Sequence, residues 1–247
     1  MLDVFTVSIG IGGGGRHFMK LAIIIPAYNE EFAIGQVIQE VMTANLPGIE
    51  KKIIVVNDGS KDKTGEIAKS NGALVVRHLL NRGVGGALGT GIEAALRLGA
   101  DVVVTCDADG QHSPDDIGRV IEPIQAGRAD AVTGSRMIDS SAMPWTRRIA
   151  NHLANLATWV LLAASTTDSQ SGLRAFSRSA AERIRITANK YEVCSEICGE
   201  IKRLHLRSVD VPIKTIYTDY SMSKGQGFRV GLRTLFRLIL SKLVKQS

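Results

Sequence analysis

The chain is short of the features that mark most specialised classes. Its 247 residues hold three cysteines, too few for a disulfide scaffold and odd in number, so at least one thiol is free. A reducing compartment is the simple expectation. Aromatic residues make up 5% and form no visible stacking platform, which argues against a nucleic-acid partner. No apolar run reaches the ~20 residues of a membrane-spanning helix; the nearest approach, Leu153 to Ala164, is interrupted by Asn155. The 25 glycines follow no period of three, which excludes a collagen helix. No Gly-Lys pair exists, so there is no Walker-type phosphate loop, and G-x-S-x-G and H-E-x-x-H are absent too.

What remains is the composition of a folded domain. Apolar residues are 45% and charged residues 22%, near the globular average, so disorder is not the main state. Thirty Lys and Arg exceed 24 Asp and Glu, a net charge of +6. That excess suits a phosphorylated substrate, an anionic membrane surface or nucleic acid, without choosing between them.

Residues 1–18 carry no hydrophobic period, and Arg16 follows the weak apolar stretch instead of preceding it, the wrong charge order for a secretory signal. They are expected to form a flexible tail, with Met19 as a plausible natural start; an ordered edge strand from Val4 to Ile9 is the alternative. From Leu21 the pattern turns regular. Continuous apolar runs at Leu21–Ile25 and Ile53–Val56 read as buried strands, and Ala73–Val76, Val102–Cys106 and Ala129–Thr133 as further strands. Between them, Ile34, Val37, Ile38 and Val41 mark one helical face. Further helices are expected over Asp62–Ser70, Gly86–Leu98 and Ser113–Gln125, the last opened by Ser113 as N-cap with Pro114 behind it. The second half predicts a long helix from Trp145 to Ala164, a strand at Leu173–Phe176, helices near Ser179–Ile186 and Val193–Leu204, and a strand near Val209–Ile216. Alternation of this kind implies an α/β fold: a mostly parallel central sheet with helices on both faces and a Rossmann-like nucleotide-binding half. No linker or repeat divides it, so one domain is expected.

In such sheets ligands bind beyond the carboxyl ends of the strands, and the polar residues concentrate there. Asp107-x-Asp109 follows a buried strand, with Gln111 two residues on. Oxygen ligands of this kind suit Mg²⁺ or Mn²⁺ bridging to substrate phosphates; the alternative is a pair of aspartates solvating a turn. Asp58 can accept from a ribose hydroxyl or a base N–H, or hold its own backbone in an Asx-turn. Gly83, Gly85, Gly86, Gly89 and Gly91 allow close approach of a phosphate or of the sheet. Cys194 and Cys198 share a helical face with only His205 nearby, so buried thiols are favoured over a zinc site.

The segments Pro26-Ala27-Tyr28-Asn29-Glu30-Glu31, Val56-Asn57-Asp58-Gly59-Ser60 with Asp62 and Thr64, Asn81-Arg82-Gly83, and Asp107-Ala108-Asp109-Gly110-Gln111 resemble glycosyltransferase family two. The resemblance runs in order over residues 20–227. Gly134-Ser135-Arg136 and Asp168 to Arg174 are similar to its branch of dolichyl-phosphate mannose synthases and polyprenyl-phosphate glycosyltransferases. It implies a GT-A fold over residues 19–227 and metal-dependent, inverting transfer of a hexose from a nucleotide-sugar, of GDP-mannose or UDP-glucose type, to a polyprenyl or dolichyl phosphate. By motif, Pro26, Tyr28 and Glu30 would cradle the nucleotide, and Asp58 would bind base or ribose. Asp107, Asp109 and Gln111 would hold the metal and donor phosphate. Arg136, Arg174 and Lys224 would neutralise phosphate charge. Around Lys224 the pattern departs: Ser221 stands in place of a glycine, and Gly225-Gln226 where a leucine is common.

A lipid phosphate needs no general base because its oxygen is already ionised, whereas a hydroxyl acceptor does, and Glu196 is the candidate for it. A sugar hydroxyl in cell-surface polysaccharide synthesis is the alternative acceptor, and a non-enzymatic scaffold is a third reading that an intact Asp107–Asp109–Gln111 set opposes. Over residues 228–247, Leu232, Leu235, Phe236, Ile239, Leu240 and Leu243 share one helical face, with Arg233, Arg237, Lys242 and Lys245 at other angles. A cationic amphipathic helix of this kind suits peripheral contact with the cytoplasmic face of a membrane, or with a membrane partner subunit.

Overall fold

The computed structural model describes residues 18–141, 143–190, 192–214 and 216. Residues 1–17 of the expected tail, with the alternative strand from Val4 to Ile9, lie outside the described residues, as do Lys224 and the amphipathic stretch from Leu232 to Leu243.

Strands and helices alternate as expected: β1 Met19–Ala27, α1 Ile34–Thr43, β2 Ile49–Asn57, α2 Thr64–Ser70, β3 Leu74–Arg77, α3 Gly83–Arg97, β4 Val102–Thr105, α4 Pro114–Gln125 and β5 Ala131–Ser135, then α5 Trp145–Leu162, β6 Arg174–Ser177, α6 Arg178–Arg183, α7 Val193–Arg203 and β7 Ser208–Pro212. The bounds shift where polar residues hide a strand or helix end. β2 starts at Ile49, not Ile53, because its first half alternates half-buried and exposed residues. Lys51 in that half donates from Nζ to the carbonyls of Met42 at 2.6 Å and Ala44 at 2.7 Å, closing the end of α1 with a cation as the helix dipole favours. Ser113 stands before α4 in extended conformation, but its side chain makes no capping bond.

The seven strands lie in the order β3-β2-β1-β4-β6-β5-β7. All neighbours are parallel except β6, which runs antiparallel to both β4 and β5. The sheet is thus mostly parallel, and its one reversed strand returns residues 168–174 to the centre of the carboxyl edge.

Both faces of β1 are buried, which is why its sequence is continuously apolar. Leu21, Ile23 and Ile25 pack in one cluster with Ile34, Val37, Ile38 and Val41 of α1 and Ile117, Val120 and Ile121 of α4. Ala22 and Ile24 face the other way, with Ala87, Leu88, Ile92 and Ala95 of α3, Phe176 of β6 and Val193 and Ile197 of α7. Gly91 lets α3 lie against that face: a Cβ there would come 2.3 Å from Cγ2 of Ile24 and 3.3 Å from Cγ2 of Val56. Overpacking such a contact costs about 1–3 kcal/mol. Gly91→Val is therefore expected to lower stability by about that amount, checked by urea denaturation.

Candidate active site

The first two loops of the carboxyl edge are stitched together by their own polar residues. Asn29, after β1, adopts φ 55°, a left-handed conformation that Asn tolerates. Its N–H donates to Ser60 Oγ at 3.0 Å, Glu30 N–H to Thr64 Oγ1 at 2.8 Å and Glu31 N–H to Asp62 Oδ2 at 3.2 Å. In return Lys61 N–H donates to Asn29 Oδ1 at 2.9 Å. The Asn29–Glu31 and Ser60–Thr64 motifs thus form one ledge, with Tyr28 exposed at its lip.

Asp58 lies beneath this ledge, 3% exposed. His78 Nδ1 approaches its Oδ1 at 2.6 Å, Arg82 N–H donates to the same oxygen at 2.9 Å, and Gly83 N–H donates to Oδ2 at 2.7 Å. His78 Nε2 meets Thr90 Oγ1 at 3.0 Å. Both Asp58 oxygens are engaged in ordering the turn that starts α3. The glycines there serve packing: Gly85 N–H donates to Asn189 O at 3.0 Å. A Cβ on Gly85 would come 1.8 Å from Ala188 O, and one on Gly83 2.0 Å from Asn189 O. The amino end of α3 is covered by protein backbone.

Asp107 and Asp109 follow β4. Asp107 keeps 46% side-chain exposure while its Oδ2 lies 3.3 Å from His112 Nε2. The surrounding protein opposes its ionisation, but His112, Arg136 and Arg174 outweigh that and hold its carboxyl below the ordinary value. Asp109 moves the other way. Desolvation first, then the charge of Asp107, push it up to about 6. Gln111 N–H donates to Asp109 Oδ1 at 3.1 Å. Gly172 makes room for Asp107: its carbonyl accepts from Thr105 Oγ1 at 2.7 Å, and a Cβ on it would stand 2.1 Å from Asp107 Oδ2. Among the described residues no three His, Cys, Asp or Glu side chains converge on a metal position. A cation here would take the two carboxylates and substrate oxygens, the usual way Mg²⁺ is held.

Arg136 is forked onto Asp168. Nε donates to Oδ2 at 2.7 Å and Nη2 to Oδ1 at 2.9 Å, and the Arg136 N–H adds 3.1 Å to Oδ2. Asp168 is fully buried and Arg136 is 19% exposed at the side chain. Breaking a buried pair leaves an uncompensated charge and costs about 3–5 kcal/mol. Asp168→Ala is expected to destabilise by about 3 kcal/mol, near the low end because Arg136 reaches solvent; chemical denaturation measures it. Arg174 does not line the cleft: it is 1% exposed. Nη1 donates to Cys194 O at 3.0 Å and Nη2 to Ser169 O at 2.7 Å, so its charge acts on Asp107 from below. Cys194 and Cys198 pack around it as thiols raised by burial, Cys194 to about 11.

Glu196 is occupied. Its carboxylate accepts from Thr187 N–H at 3.0 Å, Ala188 N–H at 2.8 Å and the Thr187 hydroxyl. Three participants escaped sequence reasoning: His112 beside Asp107, His78 beneath Asp58, and Asp168 as the partner of Arg136. Each had a local signal: His112 stands directly after Gln111, His78 opens the polar stretch after β3, and Asp168 heads the segment Asp168 to Arg174.

A family model described as Glycosyl transferase family 2 matches residues 22–185. A Methanococcus voltae protein named UDP-N-acetylglucosamine–dolichyl-phosphate N-acetylglucosaminyltransferase is 41% identical over 245 residues, covering 90% of this chain and 96% of that one. A polyprenol monophosphomannose synthase of Mycolicibacterium smegmatis is 30% identical over 227 residues, 87% of this chain and 84% of that one. Glucosyl-3-phosphoglycerate synthase of Mycobacterium tuberculosis, crystallised with phosphoglyceric acid, shares the fold at TM-score 0.69 and 22% identity, over 91% of this chain and 80% of that one. With the sheet order and the carboxylate pair at the β4 edge, these matches show that the chain has a GT-A fold and is a glycosyltransferase belonging to family 2.

Proposed function

We propose that the chain transfers a sugar from a nucleotide-sugar to a polyprenyl phosphate at a membrane surface, inverting the anomeric carbon. The observation that carries the reading is the Asp107–Asp109 pair, in which Asp109 is pushed up to about 6. Two neighbouring carboxylates, of which Asp107 is held ionised by His112, Arg136 and Arg174 while Asp109 is raised by burial and by Asp107, with Gly172 leaving room for Asp107, fit a divalent cation such as Mg²⁺ or Mn²⁺. When bound, it would supply charge neutralisation for the departing nucleoside diphosphate. Gln111, whose N–H is bound to Asp109 Oδ1, would add its side-chain oxygen as a further ligand.

The chain's own groups then divide the work. Pro26, Tyr28 and Glu30 cradle base and ribose where β1 runs into the ledge, and Asp58 orders its floor through the Arg82–Gly83 turn. Arg136, oriented by Asp168, presents positive charge toward the phosphates; Arg174 supports Asp107 electrostatically from below; Lys224 completes the cationic set. The donor is a UDP- or GDP-sugar, and the named relatives that act on dolichyl or polyprenol phosphate favour a lipid phosphate acceptor. Such a phosphate attacks without a general base, whereas a sugar hydroxyl would need one and Glu196 is already engaged. Among the described residues no helix is long and apolar enough to cross a membrane. We assign catalysis to residues 19–227 and peripheral membrane contact, at the cytoplasmic face or through a membrane partner subunit, to residues 228–247.

A donor panel tests this: UDP-glucose, UDP-N-acetylglucosamine and GDP-mannose, each with Mn²⁺ and a short polyprenyl phosphate, scored for glycosylated lipid. One donor is expected to dominate. No glycosylated lipid from any of the donors would contradict the reading.

A further inference from the structure

Asp58 and Tyr28 meet at the carboxyl edge of the sheet. β1 pairs with β2 so that Ala27 stands opposite Asn57, and Asp58 N–H donates to Ala27 O at 2.9 Å. Leu80 lies against the same turn: a Cβ on Gly59 would come 2.9 Å from its carbonyl carbon. Tyr28 is 44% exposed and Leu80 78%, so an aromatic and an apolar side chain stand open beside a nearly buried carboxylate. A base is held in this way, stacked on aromatic or apolar groups with its Watson–Crick edge turned to a hydrogen-bonding partner.

What Asp58 can offer that edge follows from the bonds it already makes. A carboxylate only accepts, at about four lone-pair sites, two on each oxygen. Oδ1 accepts from Arg82 N–H at 2.9 Å and from His78 Nδ1 at 2.6 Å, and Oδ2 accepts from Gly83 N–H at 2.7 Å. The network assigns the tautomer: Nδ1 carries a proton because the carboxylate cannot supply one, and Nε2 meets the Thr90 hydroxyl at 3.0 Å. His78 is buried and held from both ring nitrogens. Oδ1 is therefore full, and Oδ2 keeps one open site.

The bases of the two donor types differ at this point. Uracil presents one donor, N3–H, between two carbonyl oxygens. Guanine presents two adjacent donors, N1–H and the exocyclic N2 amine, which a carboxylate matches only with both oxygens. One open site serves uracil, whereas guanine would leave a donor unpaired, and an unpaired polar group in a desolvated site is what discriminates strongly.

We propose that His78 is a specificity-determining residue: by occupying Asp58 Oδ1 it leaves the base a single acceptor and selects uracil over guanine, hence a UDP-sugar as the donor, which rests on the reading of Tyr28 and Asp58 as the nucleotide seat. His78 acts through Asp58 and touches no part of the nucleotide.

Calorimetric titration of the full chain with UDP and with GDP, Mn²⁺ present, tests this. Ribose and diphosphate are common to both ligands, so the ratio of their dissociation constants reports the base alone. Wild type is expected to hold UDP about tenfold or more tighter than GDP. His78→Ala leaves one open site on each Asp58 oxygen, so the ratio should fall to about threefold or less. His78→Asn, whose amide N–H stands in for Nδ1–H, should restore the wild-type preference. A role in packing alone would weaken both nucleotides together and leave the ratio where it was. If His78→Ala does not fold, His78→Val takes its place with the same expectation. GDP held as tightly as UDP by wild type, binding of neither nucleotide, or an unchanged ratio in the folded variant would overturn the proposal. If the preference for UDP holds while no donor yields glycosylated lipid, the proposed transfer fails alone. If lipid is glycosylated from GDP-mannose and GDP binds as tightly as UDP, the role of His78 fails alone.

Discussion

Asp109→Asn is expected to lower kcat/KM for sugar transfer by roughly three orders of magnitude while leaving the fold intact. Charge neutralisation at a leaving diphosphate contributes several kcal/mol to the transition state, and each 1.36 kcal/mol is tenfold in rate. Asn keeps the shape of Asp109 and the oxygen that accepts from Gln111 N–H, so the loss is one of charge. Stability should move in the opposite direction. A carboxyl raised to about 6 by desolvation and by Asp107 costs the fold nothing below its unfolded value near 4, where both states are protonated. The cost grows as pH rises from there and is complete above about 6. In the metal-free protein, Asp109→Asn should therefore raise the melting temperature at pH 8 and leave it unchanged near pH 3. In wild type, cation affinity should fall as pH drops through about 6, because protons then compete for Asp109. Calorimetric titration with Mn²⁺ at several pH values measures this; an affinity independent of pH would contradict it.

Gly172→Ala should separate the site from the fold in a second way. The new Cβ would stand 2.1 Å from Oδ2 and 2.3 Å from Oδ1 and Cγ of Asp107. Something must move, and the Asp107 carboxyl is the end of a short side chain, whereas Gly172 is anchored through its carbonyl to Thr105. Asp107 swings out of the cleft and away from His112. Misplacing a reacting group by about 1 Å can cost 10²-fold, so transfer is expected to fall by about that factor with little change in melting temperature. Wild-type transfer by Gly172→Ala would show that the position of Asp107 is immaterial. A large loss of stability would show that the backbone yields instead.

The sheet was legible because strands buried on both faces write themselves as unbroken apolar runs, as at Leu21–Ile25. The loops after β1 and β2 were legible because the residues that stitch them, Asn29, Ser60, Asp62 and Thr64, are also their motifs. Long-range partnerships were not. Nothing local to Arg136 announces Asp168; the two meet because β6 enters the sheet antiparallel. The glycines of α3 could serve a phosphate or a neighbouring segment, and only the fold brings Ala188 and Asn189 over them. Arg174 reads as a phosphate ligand by motif, yet its place in β6 buries it. In α5 the sequence marks a long helix but not which of its residues face outward, which depends on what the rest of the chain leaves uncovered.

In the proposed reaction the acceptor phosphate takes the sugar itself, and the diphosphate leaves on the nucleotide. The most direct measurement is the mass of the lipid product together with the identity of the released nucleotide, in one reaction with the preferred donor and a short polyprenyl phosphate. Expected are a lipid heavier by one sugar residue, a nucleoside diphosphate in equal amount, and roughly a thousandfold slower formation of both by Asp109→Asn. A lipid carrying sugar plus a second phosphate, with a nucleoside monophosphate released, would contradict it.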